Sequence, residues 1–351
     1  MELRRAVSRR GGYQGPARLP SRAGRYDRGA RLTIFGKTEP RRGRSYHVLV
    51  NDRAGTVLEV GAANLRSRLE RGFAAVGASC EVHFGAVADL EARLGQSTDA
   101  DVVPVLVGGD GTVTALLRAI LKRDLPVGVL PLGTLNLLAR DLGFLGPLEA
   151  DISTLHHGTV RRIDLGSVNG TLFHSASGLG FALDVANERE RTRRQIPFSR
   201  GLATVVATLR ALVRIRPVEV EVEIDGRAEQ LTADAVLVTN NMFEGTPWRR
   251  ACLDAGTLEV LLLRASGAVS RSRAALAVVS GEWRNLEHLK SLPARKVVLR
   301  RSGNPARTQA TLDGEIGRFA GDLDYSILPG ALKIIGARTH SAYSEVLVPR
   351  P

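Results

Sequence analysis

Three glycines, Gly108, Gly109 and Gly111, surround a single carboxylate at Asp110, and Thr112 closes the run. Val102, Val103, Val105, Leu106 and Val107 precede it as an apolar stretch, and Val113, Leu116, Leu117 and Ile120 follow at helical spacing. The order is strand, glycine turn, helix. Glycines let a ligand approach the backbone closely, and a helix start points free N–H groups and a partial positive charge at whatever sits there. Phosphate suits such a site best. Asp110 cannot bind phosphate directly, so its natural partner is a cation riding on the phosphates, and a magnesium nucleotide is the expected ligand. The other reading of the same pattern is a structural turn joining a strand to a helix.

A phosphate turn needs strands to carry it, and the flanking chain supplies them. Order begins at Tyr46: YHVLVND reads as a short buried strand, Asn51 to Gly55 as a polar turn, and Leu58, Leu65, Leu69 and Phe73 as the apolar side of one helix. CEVHFGA, Val102 to Val107 and PVGVLPLG read as further strands, with helices over Val87 to Leu94 and Val113 to Leu121. Strands alternating with helices make a parallel sheet with crossover helices, and ligands bind beyond the carboxyl ends of such strands. The glycine turn lies there, as do Asn51 to Gly55 and the turn of Gly133, Thr134, Leu135 and Asn136.

Near residue 160 the pattern changes. VEVEVEID, Val218 to Asp225, alternates without error and ends in Asp225-Gly226, a hairpin signal ahead of a second strand at Ala235 to Thr239. Further strands read at Leu258 to Leu263, Lys296 to Arg301, Thr308 to Leu312 and Asp324 to Ile327. The fold class is therefore α/β in two domains. Residues 46–160 form an α/β parallel-sheet nucleotide-binding domain, and residues 161–328 a β-rich, antiparallel, sandwich-like domain. Residues 329–351 form a C-terminal segment whose strand, Ala331 to Gly336, has the option of returning to the first domain. Gly201 to Arg216 reads as an amphipathic helix that packs against the sheet or lies on a lipid surface.

Composition limits what the turn can mean. The 351 residues are 44% apolar and 24% charged, enough for two ordinary domains with a real core. The net charge of +13 resembles a nucleic-acid signature until it is located: residues 1–45 hold thirteen basic and three acidic side chains, leaving only +3 for the rest. That segment is rich in Gly and Pro, lacks apolar periodicity and is expected to be a disordered basic tail. An organelle transit peptide, a contact with acidic lipid headgroups, and no specific role are its three readings. Cys80 and Cys252 offer no disulfide framework. No metal ligand set is visible, since the adjacent His156 and His157 fit surface or capping roles better than ligation.

Three separated motifs, GGDGT at Gly108 to Thr112, PLGTLNLLAR at Pro131 to Arg140 and LDGE at Leu312 to Glu315, resemble the diacylglycerol kinase catalytic family, which includes bacterial and sphingosine-type lipid kinases. Asn51, Ala54 and Gly55 resemble its first motif, an Asn-Pro-x-x-Gly turn. The resemblance covers the chain from about residue 46 onward. It implies an ATP-dependent lipid kinase that uses Mg2+ to move the γ-phosphoryl group to a lipid hydroxyl in a cleft between two domains. By position, Val107, Gly108, Gly109, Asp110, Gly111, Thr112 and Val113 line the nucleotide phosphates. Gly133, Thr134 and Asn136 meet them from the neighbouring turn, and Asn51 reaches the nucleotide from the first. Glu315 stands where the family has its proton acceptor, with Asp110 as the second catalytic carboxylate. On its own, without that resemblance, Glu315 would read as a solvated hairpin acid sooner than as a base. The implied partners are ATP and a lipid alcohol, with a cytoplasmic location, peripheral reach to an anionic membrane face, scope for a homodimer, and no nucleic acid.

Four departures stand out. Asp52 replaces the Pro of the first turn, Leu137 replaces the Asp that usually follows Asn136, and no residue near His83 or Phe84 matches the family's nucleotide-binding Thr. In LDAGTLEV, Ala255 stands where relatives have the Asp of a structural magnesium site, so no structural metal is expected there. Two other functions share GGDGT: an NAD kinase-like enzyme, to which DLGFLG at Asp141 to Gly146 also bears a likeness, and a non-catalytic nucleotide-binding protein.

Overall fold

The computed structural model describes residues 44–96, 101–195, 217–244, 249–250, 252–264, 270, 273–274, 277, 282–303 and 306–338. Most of the basic tail, the helix expected at Gly201 to Arg216 and the last thirteen residues lie outside the described residues.

Strands β1 (Ser45–Asn51), β2 (Ser79–Gly85), β3 (Val102–Gly108) and β4 (Gly128–Pro131) form a sheet of order β2-β1-β3-β4 in which every pair is parallel. A parallel sheet is covered on both faces and its strands read as continuous apolar runs. Val48, Leu49 and Val50 of β1 and Val105, Leu106 and Val107 of β3 are accordingly all fully buried. The covering helices are α1 (Gly55–Val60), α2 (Ala62–Ala75), α3 (Val87–Gln96), α4 (Asp110–Arg123), α5 (Leu137–Asp141) and α6 (Leu148–His156). The single helix expected after Gly55 is two. Gly61, at φ 84°, breaks it, which leaves Leu58 72% exposed while Leu65, Leu69 and Phe73 enter the core. The histidine pair also divides: His157 is exposed, but His156 is buried with Nδ1 3.2 Å from the Tyr46 hydroxyl.

The second half contains β5 (Thr159–Val168), β6 (Thr171–Phe173), β7 (Ala176–Gly180), α7 (Phe181–Gln195), β8 (Val218–Ile224), β9 (Arg227–Ala233) and β10 (Ala235–Asn240). It continues with β11 (Phe243–Glu244), β12 (Arg249–Arg250), β13 (Leu258–Leu263), β14 (Leu289–Ala294), β15 (Lys296–Arg301), β16 (Arg307–Leu312), β17 (Glu315–Ala320) and β18 (Leu323–Gly336). Two antiparallel six-stranded sheets, β14-β13-β10-β7-β16-β17 and β6-β5-β18-β15-β8-β9, share a core that includes Phe173, Val222, Val236, Val260, Leu299 and Tyr325. This is a β-sandwich. Asp225 and Gly226, both at positive φ, make the expected hairpin turn, but its second strand is β9. Most of RAEQLTA is exposed and carries no apolar alternation to announce a strand, whereas Ala235 to Thr239 belongs to the other sheet.

β18 joins the sandwich to the parallel-sheet half. Past a register shift between Leu328 and Leu332, its end packs Leu332, Ile334 and Ile335 into the core of the parallel-sheet half. There Lys333 O accepts from Val127 N at 3.1 Å, and Ile335 N donates to Val127 O at 2.9 Å. Among the described residues, no helix is long and apolar enough to cross a membrane.

Candidate active site

The glycine turn follows β3, as a phosphate site on such a sheet must. Gly109 caps α4 in extended conformation, and the first N–H groups of α4 have no acceptor within the helix. The turn packs tightly against the turn after β4. A Cβ on Gly133 would lie 2.6 Å from Gly109 Cα, so glycine there allows backbone to meet backbone. Asn136, at φ 47°, locks this second turn: its Oδ1 accepts from Gly133 N at 2.8 Å and its Nδ2 donates to Gly133 O at 2.7 Å. Asn51 fastens the first turn to the glycine turn by donating from Nδ2 to Thr112 Oγ1 at 2.8 Å, while its Oδ1 accepts from Arg53 N at 3.1 Å. Thr134 is exposed at the rim. The side chains of Val107 and Val113 are core, so only their backbone borders the turn.

Asp110 serves α5. Its Oδ2 accepts from Leu137 N at 3.1 Å and its Oδ1 from Leu138 N at 3.3 Å, supplying the side-chain cap that Asn136 does not give that helix. Burial holds the Asp110 carboxyl above the usual range, with the Asp313 carboxylate adding to the rise and His174 and these two N–H groups offsetting only part of it. Among the described residues no cluster of three or more His, Cys, Asp or Glu side chains could hold a metal ion.

The third motif arrives from the sandwich. Asp313 (φ 47°) and Gly314 (φ 87°) turn the chain from β16 into β17, a positive-φ pair suited to a two-residue hairpin. The Asp313 carboxylate is fully buried and saturated. It accepts from the backbone N of His174 (2.9 Å), Ser175 (2.8 Å) and Ala176 (3.0 Å), and from Thr114 Oγ1 on α4 (2.6 Å). With Asp313 anchored, Glu315 is carried over α4: a Cβ on Gly111 would lie 3.2 Å from Glu315 Cγ. Its side chain is 65% exposed, and Arg189 of α7 donates from one nitrogen to Gly314 O at 2.8 Å and Glu315 Oε1 at 3.3 Å.

All three motifs read in the sequence therefore converge, along with Asn51. Sequence reasoning missed His174, Thr114, Arg189, Asp141 and Arg250. Arg250 forms a fully buried pair with Asp141 at the end of α5, with backbone N to Oδ1 at 2.9 Å and Nε to Oδ2 at 2.7 Å. It also donates to the carbonyls of His174 and Asn240, tying α5 to the sandwich. No local pattern marks these residues, because each takes its meaning from segments far away in the chain. Around Ala255, Asp164 accepts from Gly256 N and Gly330 N, both at 2.7 Å, and Ala255 N donates to Asn241 Oδ1 at 3.1 Å.

Residues 45–168 match the model of the diacylglycerol kinase catalytic domain, and residues 179–336 match the YegS C-terminal NAD kinase beta sandwich-like domain. The likeness to NAD kinases named there lies in the sandwich. A diacylglycerol kinase of Bacillus subtilis (strain 168) is 30% identical over 225 residues, covering 61% of this chain and 71% of that protein. A diacylglycerol kinase of Mycobacterium tuberculosis is 33% identical over 155 residues, 42% of this chain and 48% of the relative. The crystal structure of a diacylglycerol kinase from Bacillus anthracis str. Sterne superposes with a TM-score of 0.59 at 16% identity, covering 84% of this chain and 97% of that one. With its parallel-sheet domain, its sandwich and these relatives, the chain belongs to the diacylglycerol kinase catalytic family.

Proposed function

We propose that the protein transfers the γ-phosphoryl group of ATP to the hydroxyl of a lipid alcohol, with Glu315 as general base. The observation that carries this reading is the position of Glu315 over Gly111, at the first turn of α4. The hydroxyl oxygen attacks the γ-phosphorus, the bond from that phosphorus to the bridging oxygen breaks, ADP leaves, and the hydroxyl proton passes to Glu315. Phosphoryl transfer asks mainly for positioning and charge stabilisation, so a backbone cradle and one base suffice on the protein's side. Gly108, Gly109, Gly111 and Thr112 form the cradle, Gly133, Thr134 and Asn136 close it, and Asn51 steadies Thr112.

Asp110 fits a magnesium ion as a single carboxylate ligand. Each oxygen keeps a lone pair beyond the N–H bond it accepts, and the side chain is 13% exposed. Magnesium is commonly held by one or two carboxylates, with phosphates and waters completing its shell. Bound there, it supplies positive charge to the phosphate oxygens. The basic segment 1–45 suits peripheral contact with an anionic membrane face, from which a lipid alcohol would be drawn.

Incubating the protein with γ-labelled ATP, magnesium and a panel of lipid alcohols in detergent micelles, diacylglycerol first, tests the reading. Label is expected in a lipid product. Label in NADP when NAD is added as a competing acceptor, or nucleotide binding with no transfer to any acceptor, would overturn it.

A further inference from the structure

His174 is fully buried in the short link between β6 and β7, and it touches both motif aspartates. Its Nε2 lies 3.3 Å from the Asp110 carbonyl oxygen, 3.5 Å from Asp313 Oδ2 and 4.0 Å from Asp110 Oδ1. Its Nδ1 lies 2.8 Å from Ser175 Oγ. The neighbours settle which ring nitrogen holds the proton. Nε2 faces acceptors only, the Asp110 carbonyl and the two carboxylates, whereas Nδ1 faces a hydroxyl that can itself donate. The imidazole proton then sits on Nε2 and faces the start of α4 and the Asp313 carboxylate.

These contacts span three remote segments. Asp110 opens the helix whose N–H groups form the cradle, and Asp313 anchors the turn that carries Glu315 two residues later. We infer that His174 is a positioning residue for phosphoryl transfer: through its Nε2–H it fixes the separation between the phosphate cradle and Glu315. Its own backbone N–H makes the hydrogen bond to the saturated Asp313 carboxylate, against which the ring packs with Nε2 at 3.5 Å, but any residue could supply that backbone bond. The side chain alone reaches α4. The inference rests on the lipid-kinase reading above, and its geometric half is measurable without that reading.

His174→Phe keeps a ring and removes the donor; His174→Gln places an amide N–H near the position of Nε2. Misplacement of reacting groups by about 1 Å costs about 100-fold, so the Phe variant is expected to lose about 10- to 100-fold in kcat and the Gln variant to recover most of it. KM for ATP is expected to stay close to that of the wild type, because the cradle itself is intact. Hydrogen–deuterium exchange supplies the second readout. In His174→Phe the bonded amides around the two aspartates, Leu137, Leu138, Ser175, Ala176 and Asp313, should exchange faster, while those of the sandwich core stay protected. Wild-type kcat in the Phe variant, or kcat losses that follow thermal stability with Gln no better than Phe, would overturn the inference. If the wild type phosphorylates no lipid, the proposed function fails by itself, and unchanged exchange at Leu137, Leu138, Ser175, Ala176 and Asp313 would still sink the role assigned to His174.

Discussion

Glu315 lies across the first turn of α4, close enough that a methyl group on Gly111 would sit 3.2 Å from its Cγ and 3.3 Å from its Oε1. Gly111 has no positive φ, so alanine suits the helix there and gains about 0.5–1 kcal/mol over glycine. Gly111→Ala should therefore hold or raise the melting temperature while lowering turnover, by a few-fold to about 100-fold, as Glu315 is pushed aside. Thermal melts and steady-state kinetics on one preparation check the split. Loss of both together would place the importance of Gly111 in folding.

The contact between Gly109 and Gly133 is backbone to backbone, and a Cβ on Gly133 has only 2.6 Å to Gly109 Cα. Gly133→Ala must separate the two turns, and overpacking of this kind typically costs about 1–3 kcal/mol. ATP affinity is expected to fall about tenfold, which corresponds to about 1.4 kcal/mol. Calorimetric titration with ATP and magnesium measures it directly, and unchanged affinity would move the nucleotide away from these turns.

Asp141 and Arg250 are an ion pair with essentially no solvent access. Removing one partner strands the other charge, so Arg250→Met should cost about 3–5 kcal/mol in denaturant unfolding. Pairing it with Asp141→Asn should recover part of the loss. Additive losses in the double variant would mean that the two residues act separately.

Acid should weaken the fold through histidine. Burial lowers the pKa of His47, His83 and His156 below the ordinary 6.5. The unfolded chain then binds protons that the native state resists, so the contribution is fully present above pH 6.5 and is lost as pH falls through the lowered native values. Melting temperatures between pH 7.5 and 5 should decline on the acid side, less steeply in His156→Gln, which retires one of the three groups. A flat profile would contradict this.

What could be read from the chain was whatever combines residue type with local spacing. The glycine turn, its strand and its helix are adjacent in sequence, and the three motifs identified the partner turns through family likeness. Leu58 was misassigned because its spacing fits the helix periodicity, whereas Gly61 ends the helix first. α7 escaped notice because seven of the fifteen residues of FALDVANERERTRRQ are charged and it shows no continuous apolar stripe. β9 escaped because most of its residues face solvent. Arg250 and His174 were illegible for another reason. The acceptors of Arg250 lie at Asp141, His174 and Asn240, and His174 binds across to Asp110 and Asp313, pairings that only the folded chain brings together.

The central claim is that Glu315 takes the proton from a lipid hydroxyl. Single-turnover transfer from ATP, with enzyme and lipid in excess, isolates the chemical step in Glu315→Gln, a change that keeps size and removes basicity. General-base contributions are about 10²- to 10⁴-fold, and a loss in that range is predicted, with ATP affinity unchanged. A single-turnover rate within a few-fold of the wild type, with saturating lipid, would contradict the account.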